Sequence, residues 1–270
     1  MTRQQTATFR FARPSPPYWA ARFDVAHPPR PGQFVLADLG GPLREVLFPA
    51  FIDDTGFAVM LPPGHPATRL LPGSPIDIIG PTGRGFRPGN AQRLLLVSSA
   101  DMLPLLLPLL AGAPNNAPFR NGMSFLNGAP SIALVIEGAT RAQLPLPEQI
   151  PPAVELTLVT LDGSAGYLGP LESQEPAPAG LERVGPYLLE LIAWAECACF
   201  ACNNDRYPAL ASLVRQVRIQ PAPDFAQALV RVEMPCGVGV CEVCRIATRH
   251  GEKCACTDGP VFDLLELGYD

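Results

Sequence analysis

A chain of 270 residues exceeds the usual size of one domain, so two substantial domains and a small third are expected, each able to bury a core. A net charge of −5, with no clustering of Lys and Arg, excludes a nucleic-acid partner, because phosphate binding depends on clustered cations. No run of 18 apolar residues occurs and residues 1–12 lack the apolar core of a secretory leader, so no membrane span is expected and a cytoplasmic location is.

With 33 Pro and 24 Gly, the chain predicts many turns and short elements. From Thr6 to Phe86, short β-rich segments alternate with turn signals: Gly32–Ala37, Gly56–Leu61, then Gly73-Ser74-Pro75 introducing Ile76–Ile79. That rhythm predicts a small antiparallel barrel over residues 1–90. After Arg93 apolar strands alternate with helical stretches: Leu94–Val97, Ser131–Glu137, Leu156–Leu161, and Cys197–Ala201 followed by a helix over Tyr207–Val217. Such alternation predicts a parallel sheet with covering helices over residues 91–220. Gly112–Pro130 and residues 171–186 read as loops, and after Pro221 the composition shifts toward Gly and Cys, predicting a third module over 221–270.

None of the eight cysteines precedes Cys197, and five lie between Cys236 and Cys256. In a reducing compartment they read as ligands or buried thiols rather than disulfides. Cys236, Cys241 and Cys244 form a C-x4-C-x2-C run, and Cys256 follows after eleven residues, the plant-type [2Fe-2S] spacing. Three thiolates converging on one small rhomb require a tightly curled chain. Gly237 and Gly239 permit that curl and let amide N–H groups approach the sulfurs. Cys254 and Cys256 both lie within reach as the fourth ligand; Cys256 is preferred because the Thr257-Asp258-Gly259-Pro260 turn can hold it in place. Structural zinc sites usually use two C-x2-C knuckles, and one occurs here.

At these residues the chain resembles the electron-transfer subunit of bacterial class 1B dihydroorotate dehydrogenase, a relative of the ferredoxin-NADP reductases. The resemblance rests on Cys-Gly-Val-Gly-Val-Cys-Glu-Val-Cys at 236–244 and Cys-Thr-Asp-Gly-Pro-Val-Phe at 256–262. It extends to Pro31-Gly32-Gln33-Phe34, Gly80-Pro81-Thr82-Gly83-Arg84-Gly85-Phe86, and Asp162-Gly163-Ser164 with Gly166. It implies three parts: an antiparallel flavin-type β-barrel (1–90), a parallel-sheet nucleotide-type α/β domain (91–220) and a small C-terminal [2Fe-2S] domain (221–270). It implies FAD on the barrel against Arg44, Met60, Leu61 and Thr68. It also implies a partner, an FMN-containing catalytic subunit that receives electrons through the cluster, as a step of pyrimidine biosynthesis.

Three departures qualify that expectation. Leu43-Arg44-Glu45-Val46-Leu47-Phe48-Pro49 keeps the arginine of the family's flavin strand but loses its hydroxyl, and Arg44 also reads as a solvated surface charge. The turn Val97-Ser98-Ser99-Ala100-Asp101-Met102-Leu103-Pro104 has no glycine where relatives admit a dinucleotide, and Asp101 would repel phosphate, so direct NAD(P)H oxidation is not expected. Cys202 matches a family cysteine near the nicotinamide, but Asn203-Asn204 follow it instead of Gly-Pro. Cys197 and Cys199 share one face of a strand and read as packing. His27, His65 and His250 are isolated and have no catalytic reading. These departures support an alternative: an iron-sulfur adaptor or redox sensor that has lost flavin and nucleotide.

Overall fold

A computed structural model of the protein describes residues 4–110 and 130–268. The loop expected over Gly112–Pro130 lies, except for its last residue, outside the described residues. The N-terminal part contains β1 (Gln4–Ser15), β2 (Tyr18–Asp24), β3 (Phe34–Ala37), β4 (Glu45–Leu47), β5 (Phe51–Asp53), β6 (Gly56–Leu61) and β7 (Pro75–Thr82). They form one antiparallel sheet in the order β4-β3-β7-β1-β2-β6-β5.

Chain connectivity dictates the shape of this sheet. Its two end strands, β4 and β5, are joined by residues 48–50 alone, which span at most about 14 Å. Seven strands laid flat would extend about 29 Å at the usual strand spacing. The sheet must therefore curl until its edges approach, giving the expected barrel. Alternation fills it: Ile76 and Ile78 of β7 point inward, and Phe23 meets Phe9 edge-on and stacks on Phe57, each at 5.5 Å, within the core.

The second sheet comprises β8 (Arg93–Ser99), β9 (Ser131–Gly138), β10 (Val154–Thr160), β11 (Tyr167–Leu168), β12 (Cys197–Ala201), β13 (Ala226–Leu229) and β16 (Val261–Asp263), in the order β11-β10-β9-β8-β12-β13-β16. All its pairings are parallel except β13 with β16. Seven consecutive buried residues in β9 follow from cover on both faces. One face carries α2 (Val184–Trp194) and α3 (Tyr207–Val217); the other carries a 3-10 turn (Leu103–Leu105) and the short α1 (Leu107–Leu110).

The helix α2 begins inside the stretch expected to be a loop. Gly185 and Pro186 fall in its first turn, where a missing N–H removes no helical hydrogen bond.

Sheet two also reaches past residue 220. Leu229 pairs directly with Val261, so residues 230–260 form an excursion whose two ends are fixed side by side. That excursion holds the cysteines and a hairpin of β14 (Arg245–Thr248) and β15 (Gly251–Cys254). Among the described residues no helix is long and apolar enough to cross a membrane.

Candidate metal centre and nucleotide-type crevice

Register explains why cysteines far apart in sequence meet. With Leu229 and Val261 paired, the chain leaves and re-enters the sheet at one point, and Val230 N–H donates to the Pro260 carbonyl at 2.8 Å. Cys236 and Cys256 are thereby brought back toward each other. Gly237 and Gly239 adopt left-handed φ values of +66° and +78°. A Cβ on Gly237 would sit 2.1 Å from Leu36 Cδ1, so the loop presses against barrel strand β3 more closely than any side chain allows.

The sulfurs meet as two pairs. Cys236 and Cys241 Sγ lie 3.2 Å apart, and Cys244 and Cys256 Sγ lie 3.4 Å apart. Among the described residues no three or more His, Cys, Asp or Glu are grouped as a metal site, so the thiols meet as pairs and not as one four-sulfur cage. Two thiol pairs suit a binuclear cluster, in which each iron takes two thiolates. Cys254, two residues from Cys256, lies beside Cys244 with its thiol 3.9 Å from the Gly239 carbonyl, and is partly exposed where Cys256 is fully buried.

The electrostatics around these thiols differ along the loop. Burial alone would push the Cys236 thiol up, but the amides of Val238, Cys241 and Val240 and the Cys241 thiol bring it down to about 6. Thiolate is the metal-binding form, so this end of the site is preset for a ligand. Cys256 is pushed up to about 12 by burial and by the Cys244 thiol.

The barrel forms one wall of this centre. Arg84 and Pro260 make a bridge, the Arg84 amide donates to the Gly259 carbonyl, and Arg84 Nη2 pairs with Asp224 Oδ1 at 2.7 Å. Thr82, nearly fully buried, directs its hydroxyl at the carbonyls of Gly237 and Cys256, each 3.4 Å away. Outside, Val238, Val240 and Val243 are exposed around Cys241.

The four residues expected to meet FAD are not equivalent. Arg44, immediately before β4, donates to Asp77 Oδ2 at 2.6 Å and to the Asp77 carbonyl at 3.0 Å. Thr68 closes a 3-10 turn by donating to the His65 carbonyl at 2.7 Å, and His65 Nε2 pairs with Glu45 Oε2 at 2.7 Å. That ion pair ties the Thr68 turn to β4, whose first residue, Glu45, follows Arg44. Met60 and Leu61 end β6, with Met60 half-buried and Leu61 buried. Phe48, at the exit of β4, packs on Phe34 with ring centroids 5.6 Å apart.

At the carboxyl ends of the parallel strands lies a cavity of about 420 Å³ lined by Tyr18, Ser99, Asp101, Glu137, Asn203 and Arg206, among others. The chain order reverses here, between β8 and β12, which is where open α/β sheets bind ligands. Its groups are spoken for. Arg206 donates to Glu137 Oε1 at 2.8 Å and to Glu172 Oε2, while Leu171 N–H donates to Glu137 Oε2 at 2.8 Å. Ala100 and Met102 amides donate to the carbonyls of Glu137 and Ser99. With the partly buried Arg206 neutralised by two carboxylates, those amides occupied and Asp101 at the rim, the residues do not fit a pyrophosphate. This triad went unrecognised in the sequence, although a glutamate ending an otherwise apolar strand was its signal.

Cys197 and Cys199 pack on one face of sheet two and Cys202 on the other. Burial, then the charge of Glu137, pushes the Cys202 thiol up to about 12. Cys197 accepts a hydrogen bond from Gln227 at 3.4 Å.

Comparison with known proteins agrees with this geometry. Residues 232–268 match the family described as the iron-sulfur cluster binding domain of dihydroorotate dehydrogenase B. The dihydroorotate dehydrogenase B (NAD(+)) electron transfer subunit of Clostridium perfringens is 26% identical over 209 residues, covering 74% of this chain and 70% of that protein. The probable electron transfer subunit of Thermococcus kodakarensis is 26% identical over 238 residues, covering 88% and 86%. Among solved structures, one of an NADH-dependent reduced ferredoxin-NADP oxidoreductase of flavin-based electron bifurcation superposes with a TM-score of 0.70 at 19% identity, covering 98% of this chain and 90% of that one. A ferredoxin reductase in carbazole 1,9a-dioxygenase gives a TM-score of 0.56 at 16% identity, covering 85% and 69%. These two likenesses establish the fold, that of the ferredoxin reductases. The chain is thus similar, over most of its length, to the electron-transfer subunits of dihydroorotate dehydrogenase B, and it carries a match to their iron-sulfur cluster binding domain at residues 232–268.

Proposed function

We propose that this chain is an electron-transfer subunit that passes electrons between FAD and an FMN-containing dihydroorotate dehydrogenase catalytic subunit, in the cytoplasm, through a [2Fe-2S] cluster on Cys236, Cys241, Cys244 and Cys256. The observation that carries this reading is the meeting of those four thiols as two pairs, inside the segment that matches the cluster-binding family. The cluster, when bound, carries one electron at a time, and FAD exchanges electron pairs on one side and single electrons on the other. The chain's own part is to hold four thiolates, to aim amides at them, and to keep water from the Cys244–Cys256 side while leaving Cys241 near the surface. FAD is assigned to the barrel side formed by Arg44, Met60, Leu61 and Thr68, a placement supported by the His65–Glu45 pair that joins two of these segments. No step is assigned to NAD(P)H, because the crevice does not fit it. The proposed barrel spans 1–90 and the α/β domain 91–220, with β13 and β16 of its sheet lying within 221–270 and flanking the cluster module.

Visible absorption, iron and acid-labile sulfide content, and flavin release from the purified full chain test this reading. Cluster and flavin bands together are expected, and a zinc-loaded or colourless protein overturns it. A second reading, a cluster protein without flavin, is favoured by two observations: Phe48 occupies the exit of the flavin strand, and Arg44 is already held by Asp77. Cluster bands with no releasable flavin would establish that alternative.

A further inference from the structure

Resting on the cluster assignment above, the geometry points to Thr82, a barrel residue, as a positioning residue that tunes the cluster's reduction potential through the Gly237–Val238 peptide. Thr82 ends β7, and its side chain is almost wholly buried between the barrel and the cysteine loop. A buried hydroxyl must find an acceptor. The contacts on offer are two carbonyls of the loop, Gly237 and Cys256, at 3.4 Å each. Both belong to the turns that carry cluster thiols, one immediately after Cys236 and one at Cys256 itself.

The peptide that Thr82 addresses has a second end. Its carbonyl belongs to Gly237 and its N–H to Val238, whose amide is among those that lower the Cys236 thiol. The path is therefore Thr82 O–H to the Gly237 carbonyl, across the peptide, to Val238 N–H and Cys236 Sγ. A hydrogen bond accepted by an amide carbonyl withdraws electron density from the nitrogen and makes its N–H a stronger donor, by roughly 10–30% per bond. Hydrogen bonds to cluster sulfurs stabilise the reduced, more negative state and raise the potential. Removing the hydroxyl should therefore make the cluster harder to reduce. Loop and barrel are close enough for the effect to be specific: Leu36 presses on Gly237, and Gly83 has no room for a Cβ against Gly259 O at 2.7 Å.

The test is an equilibrium redox titration of the full-length protein, followed by visible circular dichroism and by the spin resonance of the reduced cluster, on wild type, Thr82→Val and Thr82→Ser. Valine keeps the shape and removes the donor; serine keeps the donor. At a fixed ambient potential, Thr82→Val should lower the reduced-to-oxidised ratio about threefold, a negative shift of roughly 30 mV at 59 mV per decade. Thr82→Ser should titrate as wild type. Iron content is measured in parallel, and if Thr82→Val loses iron, Thr82→Ala replaces it. A donor-free variant with full iron and an unmoved potential overturns the proposal, as does a serine variant that shifts as far as valine. Failure of the underlying assignment is distinguishable, because wild type itself would then contain no [2Fe-2S] spectrum.

Discussion

Cys256 has no exposed surface and packs on Cys244, whereas Cys254 ends β15 partly open to solvent. A thiolate in a shielded site is held by geometry that a neighbour two residues away cannot reproduce without unpairing β15 from β14. Cys256→Ser should therefore lose most of the bound iron, and Cys254→Ser should keep it; iron per chain and visible circular dichroism decide, and the opposite pattern reassigns the fourth ligand. The barrel offers a second residue-level test. Burial would raise the Asp53 carboxyl, but Arg22 at 2.7 Å and the hydroxyl and amide of Thr55 bring it down to about 2. Because the folded value lies below the unfolded one of about 3.9, this stabilisation is present above pH 4 and is lost as pH falls toward 2. Asp53→Asn should cost about 1 kcal/mol at neutral pH, a figure kept low because the carboxylate is partly solvated. Urea unfolding curves of variant and wild type should converge near pH 2.

At the scale of elements, the carboxyl end of sheet two is closed by an ion cluster drawn from three segments: Glu137 from β9, Glu172 from the loop before α2, and Arg206 from the turn before α3. The carboxylate of Glu137 is nearly fully buried and accepts from both Arg206 and the Leu171 amide. Removing its charge leaves Arg206 short of a partner inside the cavity, so Glu137→Leu should destabilise the chain by about 3 kcal/mol, read by denaturant unfolding. Pyridine nucleotides should bleach the wild-type chromophores slowly, since the amides of Ala100 and Met102 and the Arg206 guanidinium are already occupied. Rapid-mixing absorbance with NADH and NADPH checks this, and fast bleaching by either would show that the crevice opens to phosphate.

For the molecule as a whole, the cluster excursion is clamped to the barrel by Arg84 and Thr82 and anchored in sheet two by β13 and β16, so the three parts meet at the cysteines. Val238, Val240 and Val243 are exposed there beside Cys241, together with the Glu242–Arg245 ion pair. Single-electron transfer demands close approach, and the three valines offer a partner an apolar patch beside an ion pair whose charges offset each other. Val238→Glu should leave the cluster spectrum intact while weakening co-purification with the proposed catalytic subunit at least tenfold, since a carboxylate would have to be desolvated at the contact. Undiminished recovery of the complex would place the interface elsewhere.

The sequence by itself determined the short-range features, because they depend on local spacing: C-x4-C-x2-C with its glycines, the strand rhythm of the barrel, and β12 and α3 to the residue. The absence of glycine from the turn after β8 is likewise a local feature, legible in the sequence alone. Tertiary structure alone decided what depends on distant partners. Leu229 pairing with Val261 brings Cys256 to Cys244, β13 and β16 place the cluster module as an excursion of sheet two, and Arg206 finds Glu137 from 69 residues away. Thr82 reads in sequence as one residue of a turn, and its neighbours Gly237 and Cys256 lie 155 and 174 positions away. Such contacts leave no periodic trace, since a hydrogen bond between two buried groups constrains each residue singly and no pattern along the chain.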